Sequence, residues 1–185
     1  MNWLEKYRKK IEGMKMPEKI VTVSSGETQI LKSKFRGNKN VKEIRLPQTV
    51  LYIDKAAFRD CISLEKINLP LNVCYIHEDT FKGCIALKEI VAQNPVPPKC
   101  VVGVNSSLFD GVLDAVCIPT ISSNFGKKEG NFYEGVDKKK CIIRVPKGSL
   151  NLYKEAREWK EFENIVNTDV RKHFYKIIGL YRTDC

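Results

Sequence analysis

Cys74 and His77 are the residues of this 185-residue chain whose types could supply a nucleophile and its base. Such a pair works only when the imidazole reaches the thiol. Three positions apart on an extended segment, the two side chains point to opposite faces, so the pair is geometrically poor. His77 follows inward-facing Ile76 and is expected to face solvent. The other histidine is His173, and no HExxH, GxSxG, EF-hand or phosphate-loop spacing occurs. Seven cysteines stand at 61, 74, 84, 100, 117, 141 and 185, without a CxxC pair. An odd, scattered set suits neither a zinc site nor a disulfide framework, and the expectation is buried, reduced thiols. The chemistry legible here is therefore that of a surface: no catalytic residue, no cofactor and no metal ligand is assigned.

Charge points the same way. Lys plus Arg number 32 against 22 Asp plus Glu, a formal +10. Residues 35–92 interleave nine basic with seven acidic residues, which reads as a solvated face. The run Lys138-Lys139-Lys140 reads as a soluble loop. No aromatic platform interleaved with arginines occurs, which argues against nucleic acid as partner. With 43% hydrophobic and 29% charged residues the chain has globular composition, and no apolar run approaches the ~18 residues of a membrane span. The first ten residues, Met1 to Lys10, lack the apolar stretch of a secretory leader, so location is left open between retention inside, an export signal outside this chain, and export by another route.

The elements that position these residues follow from a repeat. Phe35, Phe58 and Phe81 are 23 residues apart. Aligned on them, Val41, Ile44, Leu46-Pro47, Val50 and Ile53 fall in phase with Leu64, Ile67, Leu69-Pro70, Val73 and Ile76, and then with Leu87, Ile90 and Ala92. Self-similarity at such a period marks stacked coils. Ile67 and Leu69 are two apart, so both face one side of a strand while Lys66 and Asn68 face the other. Proline then ends the strand, having no N–H for a ladder. One coil cannot bury its inward face alone, and stacking builds the core. Asn38, Cys61 and Cys84 share a slot, which fits a stacked polar ladder better than a catalytic thiol.

The run Phe58-Arg59-Asp60-Cys61-Ile62-Ser63-Leu64-Glu65-Lys66-Ile67-Asn68-Leu69-Pro70 resembles the BspA-like leucine-rich repeats, whose unit reads Phe-x-Gly-Cys-x-x-Leu-x-x-Ile-x-Leu-Pro. The resemblance is close over residues 30–92 and looser to 166, where Val145-Pro146-Lys147-Gly148-Ser149, Trp159 and Phe162 look like the C-terminal end of bacterial arrays. It implies a mainly β repeat solenoid, a short right-handed leucine-rich-repeat array with terminal capping helices. It further implies a non-catalytic binding module for protein–protein or surface-adhesion contacts, since similar proteins are mostly surface or secreted proteins of host-associated bacteria. The partner would be a protein of a host or of the cell envelope. The alternative is an intracellular scaffold repeat protein, suggested by the missing leader and the cysteines.

The expected organisation is an N-terminal helix or cap over 1–19, a solenoid over 20–166 and a tail over 167–185. Residues 20–34 form a degenerate first coil, residues 118–140 a surface insertion, and residues 150–163 a capping helix with Ser149 as N-cap. Trp159 and Phe162 would cover the last coil. Inward positions are committed to the core, so a partner can touch only outward rungs, the insertion or the tail. Tyr52 and Tyr75, read as an exposed ladder, Arg45 and Asn68 on the strand rungs, and Phe132 and Tyr133 in the insertion are the candidate partner-binding residues.

Overall fold

The protein is described here by a computed structural model covering residues 19–102 and 132–168. The expected helix before residue 19, the insertion up to residue 131 and the tail from 169 lie outside the described residues. Ten strands and one short helix follow in order: β1 (Lys19–Thr22), β2 (Gln29–Ile30), β3 (Val41–Arg45), β4 (Tyr52–Ile53), β5 (Lys66–Leu69), β6 (Tyr75–His77), β7 (Glu89–Ala92), β8 (Lys99–Val101), β9 (Ile142–Pro146), α1 (Leu150–Glu155) and β10 (Asn164–Thr168). They make two parallel sheets, one ordered β1-β3-β5-β7-β9-β10 and the other β2-β4-β6-β8. Successive strands of a sheet come from successive coils, so the molecule is a β-solenoid of about five turns.

The repeat sets the register. Ile44, Ile67, Ile90, Ile143 and Ile165 pair in one row across the larger sheet, all buried. Ile30, Ile53, Ile76 and Cys100 pair across the smaller one. The third side of each coil is a turn. Phe35 N–H donates to Ala57 O at 2.9 Å, Phe58 N–H to Thr80 O at 3.1 Å and Phe81 N–H to Phe132 O at 3.0 Å. Consecutive Phe rings therefore stack, with centroids 5.7 Å apart for Phe35–Phe58 and 5.5 Å for Phe58–Phe81. The left-handed residues Gly37, Asp60, Gly83 and Gly135 mark one corner of that turn, and Ser33, Ala56 and Asp79 mark another.

Cys61 and Cys84 stand where Asn38 stands in the first coil. Each thiol donates to the carbonyl of the preceding coil's phenylalanine, Phe35 O or Phe58 O, at 3.1 Å. Asn38 Oδ1 instead accepts from Asn40 and Val41 N–H at 3.1 and 3.2 Å. The slot is polar in all three coils, but the two thiols bond from coil to coil whereas Asn38 Oδ1 bonds within its own coil.

Three expectations are corrected. The segment ending at residue 140 is not a surface loop where it is described. Phe132 and Tyr133 are buried, at 2% and 3% exposure, and Tyr133 continues the aromatic stack 5.5 Å from Phe81. Its carbonyl neighbours take the next coil's place: Gly83 N–H donates to Glu134 O at 2.7 Å, as Asp60 N–H does to Lys82 O at 2.8 Å. Second, α1 ends at Glu155 because Ala156 is extended, and the Ser149 side chain makes no capping hydrogen bond. Trp159 and Phe162 nevertheless close the array from the turns that follow, packed on Tyr133 at 5.8 and 5.0 Å. Third, β10 adds a sixth rung by pairing parallel to β9.

Candidate partner-binding surface

Outward side chains of the larger sheet form rows because the strands are parallel and in register. One row is Ile20, Glu43, Lys66, Glu89, Ile142 and Asn164, and a second is Thr22, Arg45, Asn68, Val91, Arg144 and Val166. Lys42, Glu65 and Lys88 flank the first row. The charges alternate both along and across the rows. Glu65 bridges Lys42 at 3.2 Å and Lys88 at 2.8 Å, Lys66 bridges Glu89 at 2.6 Å, and Arg144 also pairs with Glu89. Hydrogen bonds from Lys88 and Lys42 hold the Glu65 carboxyl below its usual range. Partial burial pushes Glu89 the other way, but Lys66 and Arg144 outweigh it and its carboxyl is lowered too. These six alternating residues line a shallow depression of about 250 Å³. Three lysines against three glutamates leave it no net charge, so it fits a solvated face, as the interleaving predicts.

Arg45 and Asn68, both candidates, are neighbours in the second row. Arg45 is exposed and reaches Glu43 at 2.7 Å. Asn68 is half-buried, and its Oδ1 is buried without a hydrogen-bond partner. Arg144 extends the row. It was legible in the sequence, since Ile143, Val145 and Pro146 repeat the inward-inward-proline pattern of Ile67, Leu69 and Pro70.

The tyrosine ladder is corrected. Tyr52 and Tyr75 do pair across β4 and β6, but they are 3% and 8% exposed. With Cys74 and Val101 they make a small apolar cluster apart from the main core. The Tyr52 hydroxyl donates to buried Asp54 at 3.4 Å, and burial with that carboxylate raises its pKa. His77, expected in solvent, is 2% exposed and meets the Tyr52 ring edge-on at 6.5 Å. Tyr52, Tyr75, Phe132 and Tyr133 thus pack within the chain and present no exposed aromatic face.

The thiols are protected rather than activated. Burial pushes Cys61 up to about 11 and Cys141 up to about 12, and raises Cys84 and Cys100 as well. A reactive thiol needs the opposite shift. Cys61, Cys84, Cys100 and Cys141 are free, whereas Cys74 is disulfide-bonded, which corrects the expectation that every cysteine is reduced.

A model of the BspA type leucine rich repeat region matches residues 10–125 in six copies. The chain belongs to the BspA-type leucine-rich repeat family. The crystal structure of a leucine-rich repeat protein from Bacteroides ovatus is similar, with 23% sequence identity and a TM-score of 0.44 over 79% of this chain and 33% of that one. The chain therefore spans about a third of that protein's length. No curated protein matches. The BspA-type match ends before Tyr133, yet the coil geometry continues through Gly135, β9 and β10.

Proposed function

We propose that this BspA-type chain is a non-catalytic binding module whose outward rungs hold a protein partner in protein–protein or surface-adhesion contacts. One observation carries the reading: the interior is filled by stacked Ile, Leu and Phe, while the row Thr22–Arg45–Asn68–Val91–Arg144, buried at Val91, lies on five consecutive parallel strands of a continuous rack. Stacked repeats act through such extended surfaces. Arg45 is the exposed cation of that row, beside half-buried Asn68. The free thiols favour the second reading, an intracellular scaffold, and the Cys74 disulfide favours the first.

The test immobilises the chain and captures partners separately from cell-envelope and cytosolic fractions. Direct binding is then measured with the purified partner. Saturable binding that Arg45→Glu with Asn68→Arg weakens about tenfold or more supports the module. A specific partner drawn only from cytosol moves the reading to the scaffold. Turnover of a captured small molecule without protein binding overturns both.

A further inference from the structure

The turn edge of the solenoid contains its own control. Equivalent positions recur every coil, and in the second and third coils each cation meets an acid from the next. Lys55 pairs with Glu78, Arg59 reaches Asp79 at 3.2 Å and Asp60 at 3.4 Å, and Lys82 reaches Glu134 at 2.7 Å. The first coil breaks this rule. Its matching cations, Lys32 and Arg36, stand in the columns of Lys55 and Arg59, so like charge faces like charge. No acid occurs between residues 28 and 42. Lys34 is engaged by Glu27, but Lys32, Arg36 and Lys39 are exposed and make no ion pair among the described residues.

Beside these cations the edge turns apolar. Lys39 shares its column with Ile62 and Ile85, which are 40% and 64% exposed. The coils are tied together here: Gly37 N–H donates to Arg59 O at 2.8 Å and the Ser63 hydroxyl to Lys39 O at 2.6 Å. Neighbouring coils of a parallel ladder lie about 4.8 Å apart, so Lys39, Ile62 and Ile85 form one column, with Arg36 and Lys32 earlier on the same turn edge.

We propose that this edge docks an acidic peptide segment of a partner protein, its carboxylates on Lys32, Arg36 and Lys39 and its apolar side chains over Ile62 and Ile85. Charge complementarity selects the acidic end, because among the described residues these cations lack the acids that their counterparts have. The two isoleucines select a peptide over a nucleic acid or sulfated glycan, to which they would offer nothing, and among the described residues every aromatic ring but the partly buried Phe35 is buried. The proposal rests on the protein-binding reading and adds a contact on the turn edge to the outward rungs of the larger sheet.

The test uses a short labelled peptide, with a glutamate block at one end and alternating leucine and serine at the other, against a single-stranded oligonucleotide. Three variants are compared by fluorescence anisotropy after circular dichroism shows native folds. They are Lys32→Glu with Arg36→Glu and Lys39→Glu; Ile62→Ser with Ile85→Ser; and Lys138→Ser with Lys139→Ser and Lys140→Ser. The peptide is expected to bind the wild type, to lose about tenfold or more in the first variant and several-fold in the second, and to be unchanged in the third. Oligonucleotide binding indifferent to Ile62 and Ile85 accompanies that result. Failure of the peptide to bind, equal loss in the third variant, or peptide binding untouched by the isoleucine changes overturns the proposal. Capture separates this from the parent reading: equal retention of a partner by wild type and the first variant removes this edge only, whereas no partner on the wild type removes the binding module itself.

Discussion

Gly83 occupies a corner where a side chain has no room. Its φ is +77°, and a Cβ built on it would meet Asp60 Oδ1 at 2.3 Å. Gly83→Ala should therefore cost about 2 kcal/mol, read from the urea midpoint. In an Asp60→Gly background that cost should shrink, since the obstructing carboxylate is gone. An undiminished cost would mean that backbone strain alone sets it. Phe58 is fully buried between Phe35 and Phe81, so Phe58→Ala should lose about 3–5 kcal/mol, and a loss under about 1 kcal/mol would break the register argued here. The thiols predict a pH response. In the folded state Cys61 titrates near 11 rather than 9.0, because burial disfavours the thiolate. The folded state thus keeps a proton that the unfolded chain releases, so stability is intact below about pH 9 and falls as pH rises toward 11. Urea melts across that window should show the decline, with a shallower slope for Cys61→Ser. Native-state alkylation near neutrality should leave Cys61, Cys84 and Cys141 unlabelled.

Caps and strands show what the residues alone could reveal. The first three coils were legible because a period of 23 keeps Phe, Leu and Ile in phase, and period-2 alternation assigns their faces. The next coil was not, because Tyr133 lies 52 residues beyond Phe81, which is no multiple of the repeat. Tyr133-Glu134-Gly135 echoing Phe81-Lys82-Gly83 was the signal within reach. The exposed tyrosine ladder failed for a different reason. Alternation correctly places Tyr52 and Tyr75 off the main core, but it carries no information about a second cluster closing over that face. Strand β10 has a single buried residue, Ile165, and is defined by its partner rather than by its own pattern. The closing segment is held by Trp159, whose indole N–H donates to Pro98 O at 3.1 Å, and by Tyr153, whose hydroxyl donates to Asn94 O at 2.8 Å. Trp159→Ala should cost about 3–5 kcal/mol and Tyr153→Phe about 1 kcal/mol in thermal or urea melts. Equal small losses would mean that the segment merely rests on the array.

Across the whole molecule, charge and packing act on different scales. The alternating lysines and glutamates on the larger sheet are partly exposed pairs, so high salt should change stability by less than about 1 kcal/mol. A large loss in salt titrations of the melt would make the ion-pair ladder a principal support. The support argued here is instead nearest-neighbour stacking, and it has a consequence for how such chains arise. Phe35, Phe58 and Phe81 each hand the same hydrogen bond to the coil that follows, so these three junctions share one geometry. Among the described residues, Tyr153 and Trp159 bond to Asn94 O and Pro98 O, and Trp159 and Phe162 pack on Tyr133, toward the far end of the stack. Copy number is thereby uncoupled from folding. Recombination between two repeats of one gene, out of step by a whole unit, would lengthen or shorten the rack without redesigning either end, and selection could tune reach against a partner by counting coils.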